Sequence, residues 1–479
     1  MKNDKKTIIG KKFGNNLIQQ IYRTKEVLSV SIVGSFSKTY DLEKIGDLDV
    51  VIVCKKISNK IIKSAKKSIK QAYVKYPFIK RKLKINDTFG PVKYNASKYL
   101  IIHMMVYDVE GHIDHAINSP FTCYDWQRSN WVIGKKLKEI FPVENIYLRD
   151  FFEARRSSIE YLKDIKNNNI SIRKYKINKK KISMIKENYK INKKNRGEFV
   201  YHIIYNLINN YNKFYSKKNI RISTNNFNKM FLMITKNNKL LLENFKNLKK
   251  QKISLSSIYS NKSIFIAEKF IRSFNLFIKQ ESKNYKRIVF LRHAKTLFSD
   301  KIFLGQGSNP DIIKKKIKIN FIDNYDFIYS SPLKRAISTA KLFGNKKLKI
   351  NNYLKEIDYG KAEGLTFKQY SKKFPGNARL WNNSIDVRFP LGENTLDIKK
   401  RVLKFIKIIS KTKNLKTLVV THNVFLRCLI GYYLNIEVKN YFKINTRYLQ
   451  KFDFIVKENK IYPDLKRQDF KKLLIRLYD

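Results

Sequence analysis

At 479 residues the chain is long enough for about two to four domains with real cores. Its 43% hydrophobic and 13% aromatic residues exclude a disordered chain. The formal charge of +63 arises from 101 Lys+Arg against 38 Asp+Glu and would attract nucleic acid, anionic membrane or phosphorylated substrates. Lysine far outnumbers arginine, however, and is scattered over the whole length. Asn, Ile, Tyr and Phe are also abundant, as in chains drawn from AT-rich codons. Compositional drift therefore accounts for the charge better than a dedicated nucleic-acid stripe does.

The three cysteines, Cys54, Cys123 and Cys428, are odd in number and far apart. They give neither a disulfide framework nor a metal spacing, which points to a reducing compartment. The start "MKNDKKTIIG" is basic and lacks the apolar core of a signal peptide. No run reaches the ~18 apolar residues of a membrane span. The expected location is the cytoplasm.

Residues 1–150 mix helices with β-like runs, "VLSVSIVGS", "LDVVIV" and "YLIIHMMVY". The first run leads into Gly34-Ser35. Eleven residues separate Ser35 from Asp47, and Leu48 separates Asp47 from Asp49. Strand alternation puts both carboxylates on one face. Two such carboxylates repel unless a divalent cation lies between them and a triphosphate. A Gly-Ser turn lets backbone approach phosphates closely.

This Gly-Ser, spacer, Asp-x-Asp pattern resembles the DNA polymerase β-like nucleotidyltransferase superfamily. The resemblance implies an α+β domain, Gly34 and Ser35 at the nucleotide, Asp47 and Asp49 as metal ligands, Mg²⁺ as the ion and a nucleoside triphosphate as substrate. That family also needs a third carboxylate on a later strand. His103 stands where it is expected, in "YLIIHMMVYD"; Asp108 and Asp87 are the other candidates. The cluster "DVEGHIDH", with Asp108, His112, Asp114 and His115, reads as a polar turn sooner than a metal site.

Residues 151–284 read as a helical domain. "EFVYHIIYNLINNYNKFY" carries Val200, Ile203, Ile204, Leu207 and Ile208 at helical spacing, and "SIFIAEKFIRSFNLFIKQ" follows. The polar stretch Ser183 to Glu198 is expected to be an exposed connection.

Residues 285–479 alternate strand-like and helix-like segments, the pattern of an α/β sandwich. "IVFLRHAKT" puts Arg292 and His293 behind a buried strand, Ile288 to Leu291. "IYSSPLKRAISTAKLF" ends a strand at Tyr329; Ser331 suits an N-cap, Pro332 a first helical turn, and Arg335 falls near the helix start. "LKEIDYGKAEGLT" is a loop holding Glu356. "LKTLVVTHNVFLRCLI" puts His422 directly behind the strand Leu418 to Val420. His293 and His422 are the only histidines after residue 202, and both follow a buried strand. Ligands collect at the carboxyl edge of such sheets. A neutral imidazole can attack phosphorus, arginines hold its oxygens, and a carboxylic acid can protonate a leaving group.

These stretches resemble the histidine phosphatase, or phosphoglycerate mutase-like, superfamily. Arg292-His293-Ala294 matches its Arg-His-Gly/Ala motif. Ser330 to Ala340 match Ser-Ser-Pro-Leu-x-Arg-Ala-x-x-Thr-Ala. Leu354 to Gly364 match the acid loop, and "PLGENTLDIKKRV" and "VVTHNVFLR" complete the order. The resemblance implies a three-layer α/β/α domain with His293 as nucleophile, Glu356 as proton donor and Arg292, Arg335 and His422 around the phosphate. It also implies no metal, and "FLGQGSNP" as a loop near the substrate. Lys295 stands where many members have Glu, and Asn423 where many have Gly. The acid loop leans toward phosphatases over glycolytic mutases.

The expectation is thus a multidomain α/β chain: a phosphomonoesterase acting on a small phosphorylated metabolite, fused to a metal-dependent nucleotidyltransferase. Alternatives are an RNA-modifying transferase, or a phosphatase carrying a non-catalytic binding module.

Overall fold

The computed structural model describes residues 2–90, 98–154, 158–177, 182–191, 193–216, 222–253, 262–298, 301–317, 324–344, 347–383 and 385–474. The chain divides into two compact units, residues 1–279 and 280–479.

The first unit opens with the helix Lys2–Tyr22, then β1 (Val27–Val33), β2 (Leu48–Cys54), β3 (Lys82–Asn86), β4 (Tyr99–Asp108) and β5 (Val132–Gly134). These strands form one sheet in the order β3-β4-β2-β1-β5. All three apolar runs read from the sequence are strands. β1 runs antiparallel to β2, which runs parallel to β4. Val30 and Ile32 of β1, Val50 and Ile52 of β2 and Ile102, Met104 and Val106 of β4 share one buried face. Phe13, Leu17 and Ile21 of the first helix cover it, with Ile61, Ala65 and Ile69 of the helix Asn59–Val74. Their spacing of three to four residues is that of a helix turning one stripe inward.

Two local expectations are corrected here. Ser183 to Glu198 is not an exposed connection: β6 (Asn169–Ile177) and β7 (Ile182–Lys190) form an antiparallel hairpin, and the helix Lys193–Ser216 follows. β7 is largely exposed and polar, so no apolar alternation marks it; its ladder to β6 makes it a strand. "DVEGHIDH" is not a polar turn either. It is the helix Val109–Asn118, with Asp108 as its N-cap accepting from the Gly111 N–H. His112 is buried without a hydrogen-bond partner, and burial pushes its pKa down to about 4; His115 stacks on Trp126.

The second unit holds β8 (Lys286–Arg292), β9 (Phe327–Ser330), β10 (Leu348–Ile350), β11 (Lys416–Thr421), β12 (Lys451–Lys457) and β13 (Lys460–Pro463). The sheet order is β10-β9-β11-β8-β12-β13. The four strands from β10 to β8 are parallel, and β12 and β13 close the edge antiparallel. Val289 and Leu291 of β8 pack with Ala336 and Ala340 of the helix Lys334–Lys341. Alternation turns Phe290 to the opposite face, against Phe405, Phe425 and Phe454. Phe405 belongs to the helix Thr395–Ile409, started by a capping box of Asn394 and Asp397; Phe425 belongs to the helix Asn423–Tyr433. Helices therefore cover both faces.

The helix after β9 starts later than its sequence suggests. Its N-cap is Leu333, not Ser331. The Lys334 N–H donates to the side chain of Asn309, while the Ser331 hydroxyl accepts from the Leu333 N–H at 3.3 Å and meets His422 in the site described below.

Phe290 is fully buried among three rings. Phe290→Ala is expected to cost about 3–5 kcal/mol. Hydrogen exchange of the β8 and β11 amides would register it as lost protection.

Candidate functional site

β8, β9 and β11 lie side by side and end at one edge. Arg292 pairs in register with Thr421, and Ser330 with Val420. The His293 N–H donates to Thr421 O at 3.0 Å and the Ser331 N–H to Val420 O at 3.1 Å, which carries the ladder one step past the strands. Arg292, His293, Ser331 and His422 thus emerge together. The two imidazole centroids are 5.0 Å apart.

His293 is buried, and its Nδ1 lies 2.7 Å from Ala294 O. A carbonyl can only accept, so Nδ1 carries the proton and Nε2 of the neutral ring keeps its lone pair. His422 Nε2 lies 2.8 Å from Ser331 Oγ, while its Nδ1 is buried with no partner. Burial lowers the pKa of both rings well below the ordinary imidazole value, and Arg335 and Arg292 push the same way.

Arg292 donates to Thr446 O at 2.8 Å and stacks its guanidinium 3.7 Å from the Tyr448 ring centre. Arg335 is fully buried and donates to Gly305 O at 2.7 Å and Ser308 O at 3.2 Å. The Nε atoms of both arginines are buried without a partner. Such donors favour an acceptor arriving from outside.

Glu356 is buried over the start of the helix Asn423–Tyr433. Its carboxylate accepts from Ile357 N at 3.0 Å, Val424 N at 3.1 Å and Asn423 N at 3.1 Å. Burial raises its pKa; Arg335, the Ile357 N–H, Arg292 and the Val424 N–H oppose that without cancelling it. The structure therefore brings together Arg292, His293, Arg335, Glu356 and His422 in one pocket.

Sequence reasoning missed the support around them. Arg401 pairs with Glu393 at 2.8 Å and donates to the carbonyls of Lys355 and Glu356, fixing the acid loop. Glu363 accepts from the N–H groups of Gly305 and Ser308, and Gln306 donates to Glu356 O, so "FLGQGSNP" folds against the pocket. Tyr448 walls the pocket beside His293, with Lys295 5.5 Å from its ring centre. Glu393 and Arg401 in "PLGENTLDIKKRV", Glu363 in the acid loop and Gln306 in "FLGQGSNP" lay inside matched stretches, whereas Tyr448 lay in none.

In the first unit, the end of β1 meets the start of β2. Gly34 follows β1 at φ 75°, and a Cβ there would sit 2.4 Å from Asp49 Oδ2. Asp49 is in register with Val33 and with His103. Asp47, Asp49 and His103 each offer a ligand atom within 4.8 Å of the others, the one such trio of His, Cys, Asp or Glu among the described residues. Ser35 starts the short helix Phe36–Thr39. Asp108 caps a helix at the far end of β4 and Asp87 pairs with Lys66, whereas His103 lies in the trio with Asp47 and Asp49. Its pKa is lowered by burial, but the hydrogen bond and charge of Asp49, the Thr88 carbonyl and Asp47 outweigh this and leave it raised.

A family profile described as the histidine phosphatase superfamily, branch 1, matches residues 320–459. Phosphoserine phosphatase 1 of Hydrogenobacter thermophilus is 30% identical over 168 residues, spanning 32% of this chain and 79% of that protein. The chain belongs to the histidine phosphatase superfamily. Fructose-2,6-bisphosphatase of Saccharomyces cerevisiae is a further relative, 30% identical over 110 residues, covering 23% of this chain and 24% of that protein. The chain thus spans about a quarter of the length of the fructose-2,6-bisphosphatases it matches. Among solved structures, the alpha-ribazole phosphatase of Shigella flexneri is 19% identical, covering 37% of this chain and 95% of that one, with a TM-score of 0.33. The family assignment concerns the second unit. No described helix is long and apolar enough to cross a membrane.

Imidazole ¹⁵N spectra test the pocket directly. His293 is expected to show a protonated Nδ1 and a bare Nε2, and both pocket histidines to stay neutral as pH falls through the ordinary imidazole range. The unfolded chain binds protons below about 6.5 and the folded pocket does not, so stability present above that pH is lost progressively below it. Titration of either ring at or above 6.5 would contradict the described burial.

Proposed function

We propose that the second unit hydrolyses a phosphomonoester through a phosphohistidine on His293. The observation that carries this reading is the fixed tautomer: Nδ1 is committed to Ala294 O, which leaves the Nε2 lone pair bare, while the charges of Arg335 and Arg292 act on the ring. The Nε2 lone pair attacks phosphorus while the bond to the leaving oxygen breaks. Arg292 and Arg335 neutralise charge on the equatorial oxygens, and the neutral His422 ring offers them a hydrogen bond. Glu356, its carboxyl pKa raised by burial, supplies the proton that makes the leaving group an alcohol. Water then attacks the phosphohistidine, Glu356 takes its proton, and inorganic phosphate leaves with His293 restored. Cationic donors and one acid suffice for every step, so no metal is required.

Relatives named for phosphoserine and for fructose 2,6-bisphosphate support a small phosphorylated metabolite as substrate. The test is phosphate release from a panel of phosphomonoesters without added metal. The wild-type chain is expected to release phosphate and His293→Ala to fall to background. Equal release by both would overturn the reading.

A second reading concerns the first unit. Asp47 and Asp49 meet beside the Gly34-Ser35 turn, an arrangement that supports metal-dependent nucleotidyl transfer from a nucleoside triphosphate. The reading that follows from the family resemblance takes Mg²⁺ as the ion. Asp47→Asn is expected to abolish transfer and leave phosphate release unchanged; transfer that survives the substitution would sink this reading. A nucleic-acid substrate has only the net charge of +63 in its favour, and that charge is spread along the chain.

A further inference from the structure

The donor set in the first unit does not suit a magnesium ion. Mg²⁺ prefers oxygen ligands in a near-ideal octahedron and keeps several waters. Imidazole nitrogen suits Zn²⁺, Cu²⁺, Fe²⁺ and Ni²⁺, while carboxylates suit Mg²⁺, Ca²⁺ and Mn²⁺; Mn²⁺, a transition metal that also takes carboxylate oxygen, spans the two sets. The third ligand position here is an imidazole.

The orientation of that imidazole is fixed from outside the trio. His103 Nε2 lies 2.7 Å from Thr88 O. The carbonyl can only accept, so Nε2 carries a proton and Nδ1 is the atom turned toward the carboxylates. A backbone partner of this kind is what orients metal-binding histidines. Nδ1 lies 2.9 Å from Asp49 Oδ1, a hydrogen bond whose proton a bound metal ion would displace. Two ligand atoms about 2.1 Å from one ion, at a right angle to each other, lie about 3.0 Å apart. The ligand atoms of Asp47 complete a cluster within 4.8 Å. The side chains of His103 and Asp49 are 12% and 23% exposed, which leaves one side open for waters or an anionic ligand. Gly34 adds to this, since its missing Cβ leaves the Asp49 carboxylate uncovered.

We infer that Asp47, Asp49 and His103 form a mixed oxygen–nitrogen site for a transition-metal dication of the Mn²⁺ class, in preference to Mg²⁺. The site rests on the second reading above only in using the same two carboxylates. It requires neither nucleotide transfer nor phosphate release.

The test is Mn²⁺ binding to the full chain, followed by electron paramagnetic resonance with pulsed detection of ¹⁴N coupling. The wild-type chain is expected to bind one tight Mn²⁺ with imidazole nitrogen coupling, and Mg²⁺ to displace it only in excess. His103→Asp should still bind Mn²⁺ but lose the nitrogen coupling, and should favour Mg²⁺ more than the wild type does. Asp49→Asn should weaken Mn²⁺ binding about tenfold or more. The wild-type spectrum decides even if a variant fails to fold. Absence of tight Mn²⁺ binding, bound Mn²⁺ without nitrogen coupling, or equal affinity for Mg²⁺ would each overturn the inference. Nucleotide transfer is assayed separately, so its failure alone would remove the second reading and leave the metal site standing.

Discussion

The second unit depends on the register of the parallel pair β8 and β11. That ladder brings Arg292 opposite Thr421, and one further hydrogen bond sets His293 beside His422. A slip of one residue would turn Phe290 away from its three aromatic neighbours and point Val289 and Leu291 away from the helix Lys334–Lys341. The buried faces therefore enforce the register, and the register places the reactive rings. Core packing and site geometry are one constraint in this unit.

The pocket gathers two arginines and two histidines out of water. Such an arrangement is costly unless acceptors are supplied. Carbonyls of Gly305, Ser308 and Thr446 supply some of them, and Tyr448 covers the Arg292 guanidinium. The histidines avoid the cost by staying neutral. Glu356, the acid of the pocket, is anchored to the helix that starts at Asn423. What is left over is positive potential and unpartnered donors, which an incoming phosphate would satisfy.

Much of this was legible in the sequence, for particular reasons. Short apolar runs such as Ile288 to Leu291 announce buried strands, and a histidine directly behind such a run must lie at a sheet end. The matched motifs then nominated Glu356 and Arg335, although 65 residues separate Glu356 from His422 along the chain. Other features were not legible. The strand β7 has a polar, exposed surface, so only its partner β6 defines it. Ser331 looked like a helix cap, but its hydroxyl accepts from the Leu333 N–H before the helix begins, and the first helical N–H, that of Lys334, goes to Asn309, far away in sequence. Tyr448 carries no motif, and its place beside His293 arises only from folding. His103 could be placed on its strand from the sequence, but not its bond to Thr88 O, which comes from a separate loop.

The central claim is that His293 becomes covalently phosphorylated. Rapid quenching with phosphomonoester present, under alkaline conditions, followed by peptide mass spectrometry would examine it most directly. The account predicts an acid-labile, base-stable phosphate on the peptide containing His293, and none on that containing His422. Substrate turnover with no phosphorylated His293 peptide at any quench time, or with the label on another residue, would contradict it.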